Sequence, residues 1–199
     1  MDNEVENFSR TDLEQKWFDI SQPEPYVVKM AELLESGSIL DLGVYNGRHA
    51  LYLAERGFKV TAVDTSAQNL AIMEPDFRQA GIATVQCDVR EYEPSQQFDG
   101  VLAGMLLHFL PAEDVQPTIT NLQHWTNPGG YNFVSAYTKE MNPPDKRPYL
   151  FTAGELEGYY RQWEIIDFEE KLTPWVAMSG ADKGQKSHGV WLLARKRQE

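Results

Sequence analysis

The sequence predicts an α/β protein, one domain over residues 1–199 that is built around a mostly parallel sheet. Its length suits one domain with a substantial core. Short apolar runs alternate with amphipathic stretches, which is typical of strand–helix–strand connections. The first run leads through a turn framed by glycines into a helix. The apolar runs are residues 39–42, 59–63, 84–87, 98–105 and 131–137.

The residues before the first run predict a helical segment. An apolar stripe precedes the helix breaker Ser36-Gly37-Ser38. We therefore expect a helical cap over residues 1–37, added to a core over residues 38–199. The stripe consists of Val27, Val28, Met30, Ala31, Leu33 and Leu34.

The later helices are marked by their starts. Thr65 to Gln68 and Thr152 to Glu155 have the spacing of capping boxes, in which the Thr oxygen and the Gln or Glu side chain bond early backbone N–H groups. Pro111 suits the first turn of another helix. The buried face of that helix is predicted to be Val115, Ile119 and Leu122.

The last third of the chain predicts three further features. Residues 127–130, Asn-Pro-Gly-Gly, indicate a turn into the strand at 131–137. Residues 164–172 and 189–195 indicate two strands joined by a polar loop, which favours a terminal hairpin. Tyr159, Tyr160 and Trp163 lie at helical spacing and are interpreted as core packing.

Charge and cysteine content narrow the possible functions. A formal net charge of −12 and a pI near 4.8 argue against a nucleic-acid partner, because phosphate binding depends largely on Lys and Arg. Cys87 is the only cysteine, so an internal disulfide is impossible and a reducing compartment is the simplest interpretation. The start of the chain is acidic and polar, and no segment is apolar enough to span a bilayer. We expect a soluble cytoplasmic protein, monomeric or homodimeric.

The turn between Gly43 and Gly47 is the first candidate binding site. In an open parallel sheet, ligands bind at the carboxyl ends of the strands where the strand order reverses. This turn lacks the third glycine of the dinucleotide fingerprint, so a nicotinamide oxidoreductase ranks far below other functions. Asp41 would repel a pyrophosphate but would accept hydrogen bonds from an ammonium group. The turn therefore favours a positively charged small molecule.

Acidic residues at the ends of the next two runs extend this site. Asp64 directly follows the second run, at the expected end of its strand, where a carboxylate can accept hydrogen bonds from both hydroxyls of a ribose. Asp88 and Val89 follow the third run, where an acid and an apolar neighbour can hold an adenine by its amino group and its face. A molecule with an amino-acid end, a ribose and an adenine is S-adenosylmethionine, and its demethylated product is S-adenosylhomocysteine.

Each of these residues also has a structural interpretation. Asp41 is equally consistent with capping of the turn, and Asp64 with an acid at the start of the next helix. Arg48 opens a helix, where a cation is mildly unfavourable, so a carboxylate partner is expected. That partner is either the methionine end of the cofactor or an acid of the protein.

Five stretches resemble, in order and spacing, the successive motifs of class I S-adenosylmethionine-dependent methyltransferases. They are DLGVYNGR, AVDTS, CDV, FDGVLAGMLLHFL and NPGGY. The resemblance implies a Rossmann-like, three-layer sandwich with a seven-stranded, mostly parallel sheet whose last strand is antiparallel. The cofactor-binding residues that follow from the motifs are Asp41, Gly43, Asn46, Gly47, Arg48, Asp64, Thr65, Asp88, Val89 and Ala103.

Longer stretches resemble one subfamily, the TehB-type tellurite-resistance methyltransferases. They are DLGVYNGRHALYLAERGFKVTAVD, NPGGYNFVSA and FTAGELEGYYRQWE, and the similarity extends from about Lys16 to Lys196. The resemblance implies methyl transfer to a small-molecule acceptor such as tellurite, selenite or a thiol. An acceptor with a free lone pair needs no strong general base, and the sequence contains no obvious catalytic dyad.

The chain departs from the subfamily pattern in the glycine turn. Val44-Tyr45 stands where relatives have Cys-Gly. A left-handed backbone at Tyr45 would cost roughly 1–2 kcal/mol, and its ring would form a wall of the cofactor site. A non-catalytic protein that binds S-adenosylmethionine or S-adenosylhomocysteine is therefore an alternative function.

A second departure follows the predicted strand at 164–172. Thr173-Pro174-Trp175 stands where relatives carry a His-Arg pair suited to an oxyanion. Trp175 would make the acceptor pocket more apolar than in the relatives. Lys183, Lys186 and His188 lie further along and are candidates to replace the pair.

The remaining candidates lie near the acceptor. His108 follows the fourth strand and either points toward the transfer site or is a structural histidine. Lys16 and Trp17 match a Lys-Tyr pair that folds over the cofactor in relatives, and they also suit a surface amphipathic helix. No His or Cys has metal-ligand spacing, so no catalytic metal is predicted.

Overall fold

The computed structural model describes residues 22–140, 147–176 and 186–198. Seven strands form one sheet: β1 (Ser38–Leu42), β2 (Lys59–Asp64), β3 (Ala83–Gln86), β4 (Phe98–Gly104), β5 (Thr126–Tyr137), β6 (Glu164–Val176) and β7 (Lys186–Arg195). The helices are α1 (Pro25–Leu34), α2 (Arg48–Glu55), α3 (Ala67–Ala80), α4 (Ala112–His124) and α5 (Glu155–Tyr159), with a 3-10 turn at Leu107–Phe109.

The strand order confirms the predicted topology. The order is β3-β2-β1-β4-β5-β7-β6, and β7 runs antiparallel to both of its neighbours while the other pairs are parallel. β1 pairs with β2 on one side and with β4 on the other, so the strand order reverses there. This reversal opens a crevice at the carboxyl ends of β1 and β4.

Helices cover both faces of the sheet, which gives the three predicted layers. Alternate strand residues point to opposite faces: Ile39 packs toward α1, α2 and α3, whereas Leu40 packs toward α4 and α5. The predicted face of α4 is buried. Tyr160 and Trp163, interpreted as core from the sequence, are buried on the side of the sheet that packs against α4 and α5.

The helical prediction before the first strand holds for α1, and its details differ. Leu33 was expected in the buried stripe but is 46% exposed, whereas Tyr26 is buried. The helix packs against β5 and β7 on one face of the sheet. The rest of the predicted cap, residues 1–21, lies outside the described residues.

The turn predicted at 127–130 is instead a bulge within β5. Pairing jumps from Phe98 with Thr126 to Gly100 with Tyr131. The chain keeps its sheet bonds, because the Gly129 N–H donates to the Lys196 carbonyl at 2.9 Å and the Lys196 N–H donates to the Gly130 carbonyl at 2.8 Å. The sequence signal was right about the irregular backbone, but these distant partners keep it in the sheet.

Both predicted capping boxes need correction. The cap of α3 is Ser66, not Thr65, and its Oγ accepts the Asn69 N–H at 3.1 Å. Before α5, the Glu155 carboxylate accepts the Thr152 backbone N–H at 2.8 Å, as a capping box requires. The Thr152 hydroxyl, however, donates to the same carboxylate at 2.6 Å, so only half of the box forms.

Candidate functional site

A cavity of about 470 Å³ lies at the carboxyl ends of β1, β2 and β4. Its size is typical of small-molecule sites. The cavity lies where the reversal of strand order predicts a ligand site. Two of the predicted cofactor residues, Gly47 and Ala103, do not line it. Ala103 is buried in the core, and its neighbour Gly104 lines the cavity. The predicted residues that do line it are Asp41, Gly43, Asn46, Arg48, Asp64, Thr65, Asp88 and Val89.

Asp41 is the second-to-last residue of β1, lines this cavity and is 3% exposed. Its Oδ2 has no hydrogen-bond partner among the described residues. Burial raises the pKa of Asp41 to about 7, against the opposing effect of Arg48. A buried carboxylate with an oxygen to spare is suited to a ligand that brings a positive charge or N–H donors.

The two glycines of the turn have different roles. Both have left-handed backbone, with φ of 70° at Gly43 and 73° at Gly47. A Cβ on Gly47 would lie 2.6 Å from the ring of Phe77, so this glycine is required by core packing beneath the turn. Gly43 lines the cavity, and a Cβ there would lie 3.1 Å from Leu106 Cδ1.

Tyr45 has a left-handed backbone, with φ of 49°, so the steric cost considered from the sequence applies to it. Its N–H donates to Asp64 Oδ2 at 3.1 Å, and the residue lines the cavity. The turn thus accommodates Tyr45 at the cost of backbone strain. Asn46 accepts the Arg48 N–H at 3.4 Å and helps to start α2.

Asp64 ends β2 and is fixed by two backbone groups. Besides the bond from Tyr45, Asp64 Oδ1 accepts the Ser66 N–H at 2.8 Å. The structural interpretation of Asp64, as an acid at the start of α3, is therefore correct in part. A carboxylate accepts about four hydrogen bonds, so Asp64 keeps acceptor capacity for hydroxyl groups at the cavity that it lines.

Asp88 is held by an arginine that sequence reasoning missed. Arg90 Nη2 lies 2.6 Å from Asp88 Oδ2, and Arg90 Nη1 lies 3.1 Å from Asp114 Oδ2 at the start of α4. Hydrogen bonding from Arg90 lowers the pKa of Asp88, so the acid is ionised at neutral pH. Val89 beside it is buried and offers an apolar surface.

The carboxylate partner of Arg48 is Glu24. Arg48 Nη2 lies 3.1 Å from Glu24 Oε1, and Glu24 Oε2 accepts the Trp191 Nε1–H at 2.7 Å. Arg48 Nε donates to His49 Nε2 at 3.1 Å. Burial lowers the pKa of His49 far below its usual range, so its 3.8 Å approach to Glu24 is not an ion pair.

Glu24 was not predicted as a site residue from the sequence. Its place before Pro25 indicates a helix start but not a partner on another helix. Burial raises its pKa, with Arg48 and Trp191 opposing the rise. The resulting cluster of Glu24, Arg48, His49 and Trp191 joins the segment before α1 to the wall of the cavity.

His108 lines the cavity from the 3-10 turn after β4. Its ring is packed against the rings of Phe109 and Tyr137, with centroids 4.3 Å and 4.7 Å away. Burial, and then the charge of Arg147, lower the pKa of His108 to about 3. The imidazole is therefore neutral at physiological pH and too weakly basic to act as a general base.

Some of the predicted residues lie in parts of the chain that the structure does not describe. Lys16, Trp17 and Lys183 lie outside the described residues, and so do the side chains of Trp175 and Lys186. His188 Nδ1 lies 2.7 Å from Thr138 Oγ1. Within residues 22–140, 147–176 and 186–198, no group of three His, Cys, Asp or Glu side chains is placed to bind a metal, and no helix is long and apolar enough to cross a membrane.

The chain is similar to TehB proteins in both sequence and fold. A sequence profile of the family described as tellurite resistance protein TehB matches residues 8–180. A protein of Haemophilus influenzae named as a probable S-adenosyl-L-methionine-dependent methyltransferase TehB is 31% identical over 150 residues, which are 73% of this chain and 52% of that protein. The chain thus spans about half the length of that relative.

Two further proteins extend the comparison. The crystal structure of TehB from Haemophilus influenzae superposes with a TM-score of 0.81 at 25% identity, over 94% of this chain and 67% of that one. A 2-heptyl-1-hydroxyquinolin-4(1H)-one methyltransferase of Mycobacteroides abscessus is 25% identical over 82% of this chain and 85% of that protein.

Proposed function

Because the chain belongs to the tellurite resistance protein TehB family, we propose that it is a methyltransferase that uses S-adenosylmethionine and releases S-adenosylhomocysteine. The acceptor is a small molecule with a free lone pair, such as tellurite, selenite or a thiolate. The observation that carries the proposal is the cavity at the strand reversal, where a buried Asp41 oxygen has no hydrogen-bond partner among the described residues.

The lining residues fit this cofactor. Asp41 would accept hydrogen bonds from the ammonium group of the methionine end, which satisfies its buried oxygen. Asp64, oriented by two backbone N–H groups, would accept those of the ribose hydroxyls. Asp88 and Val89 would contact the adenine, and Arg90 holds the Asp88 carboxylate in place.

When bound, S-adenosylmethionine supplies the methyl group: a lone pair of the acceptor forms the bond to the methyl carbon, and the electrons of the broken carbon–sulfur bond stay on the sulfur. The task of the protein is alignment and exclusion of water. Leu106 packs over Gly43 beside the cavity, and Val44 is buried below the turn. His108 is neutral and weakly basic, which suits an acceptor that needs no deprotonation.

Calorimetry with S-adenosylmethionine, S-adenosylhomocysteine and NADH tests the proposal. We expect both adenosyl ligands to bind and NADH not to bind, and binding of NADH alone would overturn the function. Turnover is then measured on a panel of chalcogen oxyanions, thiols and halides. Tight cofactor binding with no turnover on any acceptor would favour a non-catalytic binding protein.

An Asp64→Ala variant tests the placement of the ribose. Adenosyl affinity should fall, and unchanged affinity would show that the ribose lies elsewhere. Because Asp64 also orders the turn, Asp64→Asn, which keeps one carbonyl acceptor, separates lost binding from lost folding. Glu74→Ala is the matched control, since Glu74 is an exposed acid paired with Arg78 on α3.

A further inference from the structure

Arg90 connects two parts of the cavity wall. Residues 88–90, which follow β3, and residues 110–111, which precede α4, all line the cavity. The Arg90 guanidinium reaches from the first part to α4, with Nη2 2.6 Å from Asp88 Oδ2 and Nη1 3.1 Å from Asp114 Oδ2. Asp114 does not itself line the cavity. Its contact with Arg90 therefore anchors the guanidinium from outside the site.

These contacts hold the Asp88 carboxylate in one orientation. Asp88 Oδ1 accepts the Arg90 backbone N–H at 2.9 Å and the Arg90 Nε–H at 3.0 Å. Asp88 Oδ2 accepts the Arg90 Nη2–H at 2.6 Å. Parallel bonds from the planar guanidinium to both oxygens fix the plane of the carboxylate as well as its position. Asp88 cannot turn without breaking them.

The bonds from Arg90 leave the Asp88 carboxylate with room for about one more donor. A carboxylate has about four acceptor positions, and three are used in the contacts that the structure describes. The remaining position is on Oδ2. Hydrogen bonding from Arg90 also lowers the pKa of Asp88, so the carboxylate is ionised at neutral pH and has no proton to donate. Asp88 thus offers the cavity an acceptor in a fixed direction and no donor.

We propose that Arg90 determines the base specificity of the cofactor site, by fixing Asp88 so that it accepts the amino group of a 6-aminopurine and rejects a 6-oxopurine. A 6-oxopurine places a carbonyl oxygen against the fixed Oδ2, and its nearest hydrogen is on the neighbouring ring nitrogen. A carboxylate that could turn would reach that hydrogen, but Arg90 prevents the turn. Arg90 is therefore a positioning residue that acts through Asp88. This inference rests on the proposed function and deepens it.

Folding stability is a poor explanation for this arrangement. The side chain of Arg90 is 44% exposed, and those of Asp88 and Asp114 are 26% and 33% exposed. Ion pairs in such positions contribute little to stability, because water and salt screen them. Orienting a carboxylate depends instead on geometry, which the bidentate contact supplies. Replacing Arg90 should therefore leave the protein folded and change which base it prefers.

Calorimetric titration with two ligands tests the specificity. The intact protein is titrated at neutral pH with S-adenosylhomocysteine and with S-inosylhomocysteine, which differs from it only in carrying a 6-oxopurine. We expect S-adenosylhomocysteine to bind about 10- to 100-fold more tightly, because only this ligand donates a hydrogen bond to the charged Asp88. Equal affinity for the two ligands would overturn the proposal.

Replacing Arg90 assigns the preference to this residue. Arg90→Gln keeps the backbone bond to Asp88 and loses the guanidinium bonds to Asp88 and Asp114. Affinity for S-adenosylhomocysteine should fall about three- to tenfold, which is the cost of ordering a freed side chain. Affinity for S-inosylhomocysteine should stay the same or rise, because the freed carboxylate can turn toward the ring N–H. The preference between the two ligands should therefore shrink.

Two further variants complete the test. Arg90→Lys keeps the positive charge but cannot make the parallel bonds, so the preference should shrink as in Arg90→Gln. Arg78→Gln makes the same chemical change at an exposed arginine of α3. This matched control should keep the preference of the parent protein. Thermal unfolding confirms that each variant is folded.

The outcomes distinguish the inference from the function on which it rests. A merely structural role of Arg90 would weaken both ligands equally, and an unchanged ratio of affinities in Arg90→Gln would overturn the inference alone. Full preference in Arg90→Lys would assign the effect to charge and would also overturn the positioning role. Failure of S-adenosylhomocysteine to bind the parent protein would overturn the proposed function, and the inference with it.

Discussion

Two non-glycine residues of the cavity wall hold a left-handed backbone. They are Tyr45, with φ of 49°, and Met105, with φ of 52°, one after β1 and the other after β4. Such conformations persist only where the surrounding structure imposes them, and they concentrate at ligand sites. At Tyr45 the bond from its N–H to Asp64 imposes the conformation. At Met105 the N–H donates to Ser135 at 2.8 Å.

Replacing Tyr45 with glycine should stabilise the protein. Glycine removes a steric cost of roughly 1–2 kcal/mol and adds an entropic cost of about 0.5–1 kcal/mol. We expect the free energy of unfolding to rise by up to about 1 kcal/mol, which corresponds to an increase in Tm of about 2–4 °C. Tyr45→Ala keeps the strained Cβ and is the control. A rise of the same size in both variants would mean that loss of the ring, not relief of the backbone, is responsible.

Asp41 should make cofactor binding depend on pH. Its pKa of about 7 means that it is largely protonated below that pH, and the protonated form attracts an ammonium group less. Affinity for S-adenosylmethionine should therefore fall as pH is lowered from about 7 to about 5.5, by at most about tenfold per pH unit. Calorimetry across this range measures it.

The same pKa has the opposite effect on the ligand-free fold. The folded pKa is raised above 3.8, so the folded state binds the proton more tightly, and stability falls as pH rises toward about 7. In Asp41→Asn both dependences should flatten. Glu24 and Asp64, which raise this pKa, and Arg48, which lowers it, are unchanged in the variant. A pH dependence as steep as in the parent protein would assign the effect to one of them.

Residues at strand ends were predictable, and their partners were not. Asp41 and Asp64 are marked by their place at the carboxyl ends of apolar runs, and both line the cavity. Arg90 and Arg147 carry no such mark, because a surface arginine and an arginine that reaches a cavity look alike in sequence. Arg147 meets Tyr137 and Phe109 only through the packing of separate elements.

At the scale of elements, the segment before α1 is tied to α2 and β7. Glu24 supplies one oxygen to Arg48 at the start of α2 and the other to Trp191 on β7. Its carboxylate is therefore satisfied from two directions in a buried setting. The wall of the cavity that contains Arg48 depends on this acid.

Removing Glu24 should destabilise the fold strongly. Glu24→Ala leaves the charge of Arg48, whose side chain is only 14% exposed, without its carboxylate, and breaking a buried pair costs up to about 3–5 kcal/mol. Lys29→Ala is the control, because Lys29 pairs with Asp167 near the surface, with side chains 43% and 36% exposed. Exposed pairs contribute at most about 1 kcal/mol. Chemical denaturation compares the two, and equal losses would show that burial adds nothing at Glu24.

Strands and helices were predictable where local pattern and tertiary structure agree. β1, β2 and β4 are apolar runs buried on both faces, and α4 has its predicted buried side. The bulge at 127–130 was not predictable, because its backbone groups bond to Lys196, far along the chain. The cap of α3 differed by one residue, since Thr65 and Ser66 have similar capping preferences.

At the scale of the whole molecule, charge should affect how ligands arrive. The net charge is −12, and Asp41, Asp64 and Asp88 line the cavity. S-adenosylmethionine, the proposed cofactor, carries a net positive charge, so this field would favour its association.

The association rate of S-adenosylmethionine should therefore fall as salt is added. Between roughly 0.01 M and 0.15 M ionic strength the Debye length shortens from about 30 Å to about 8 Å, and we expect a decrease of up to about tenfold. S-adenosylhomocysteine has no net charge and is the control, so its rate should change little. Stopped-flow fluorescence measures both, and equal salt dependence would rule out steering by charge.

The bulge in β5 has a consequence for chain length. Gly130 lies against the backbone, where a Cβ would be 2.7 Å from the Asp99 carbonyl oxygen, so the strand resumes its register immediately after the bulge. An inserted or deleted residue at 127–129 can be absorbed by that loop. The same change at 131–137 would exchange the two faces of the strand, sending Asn132 to the side of Phe133. Natural variation in length at this strand should concentrate in its first few residues.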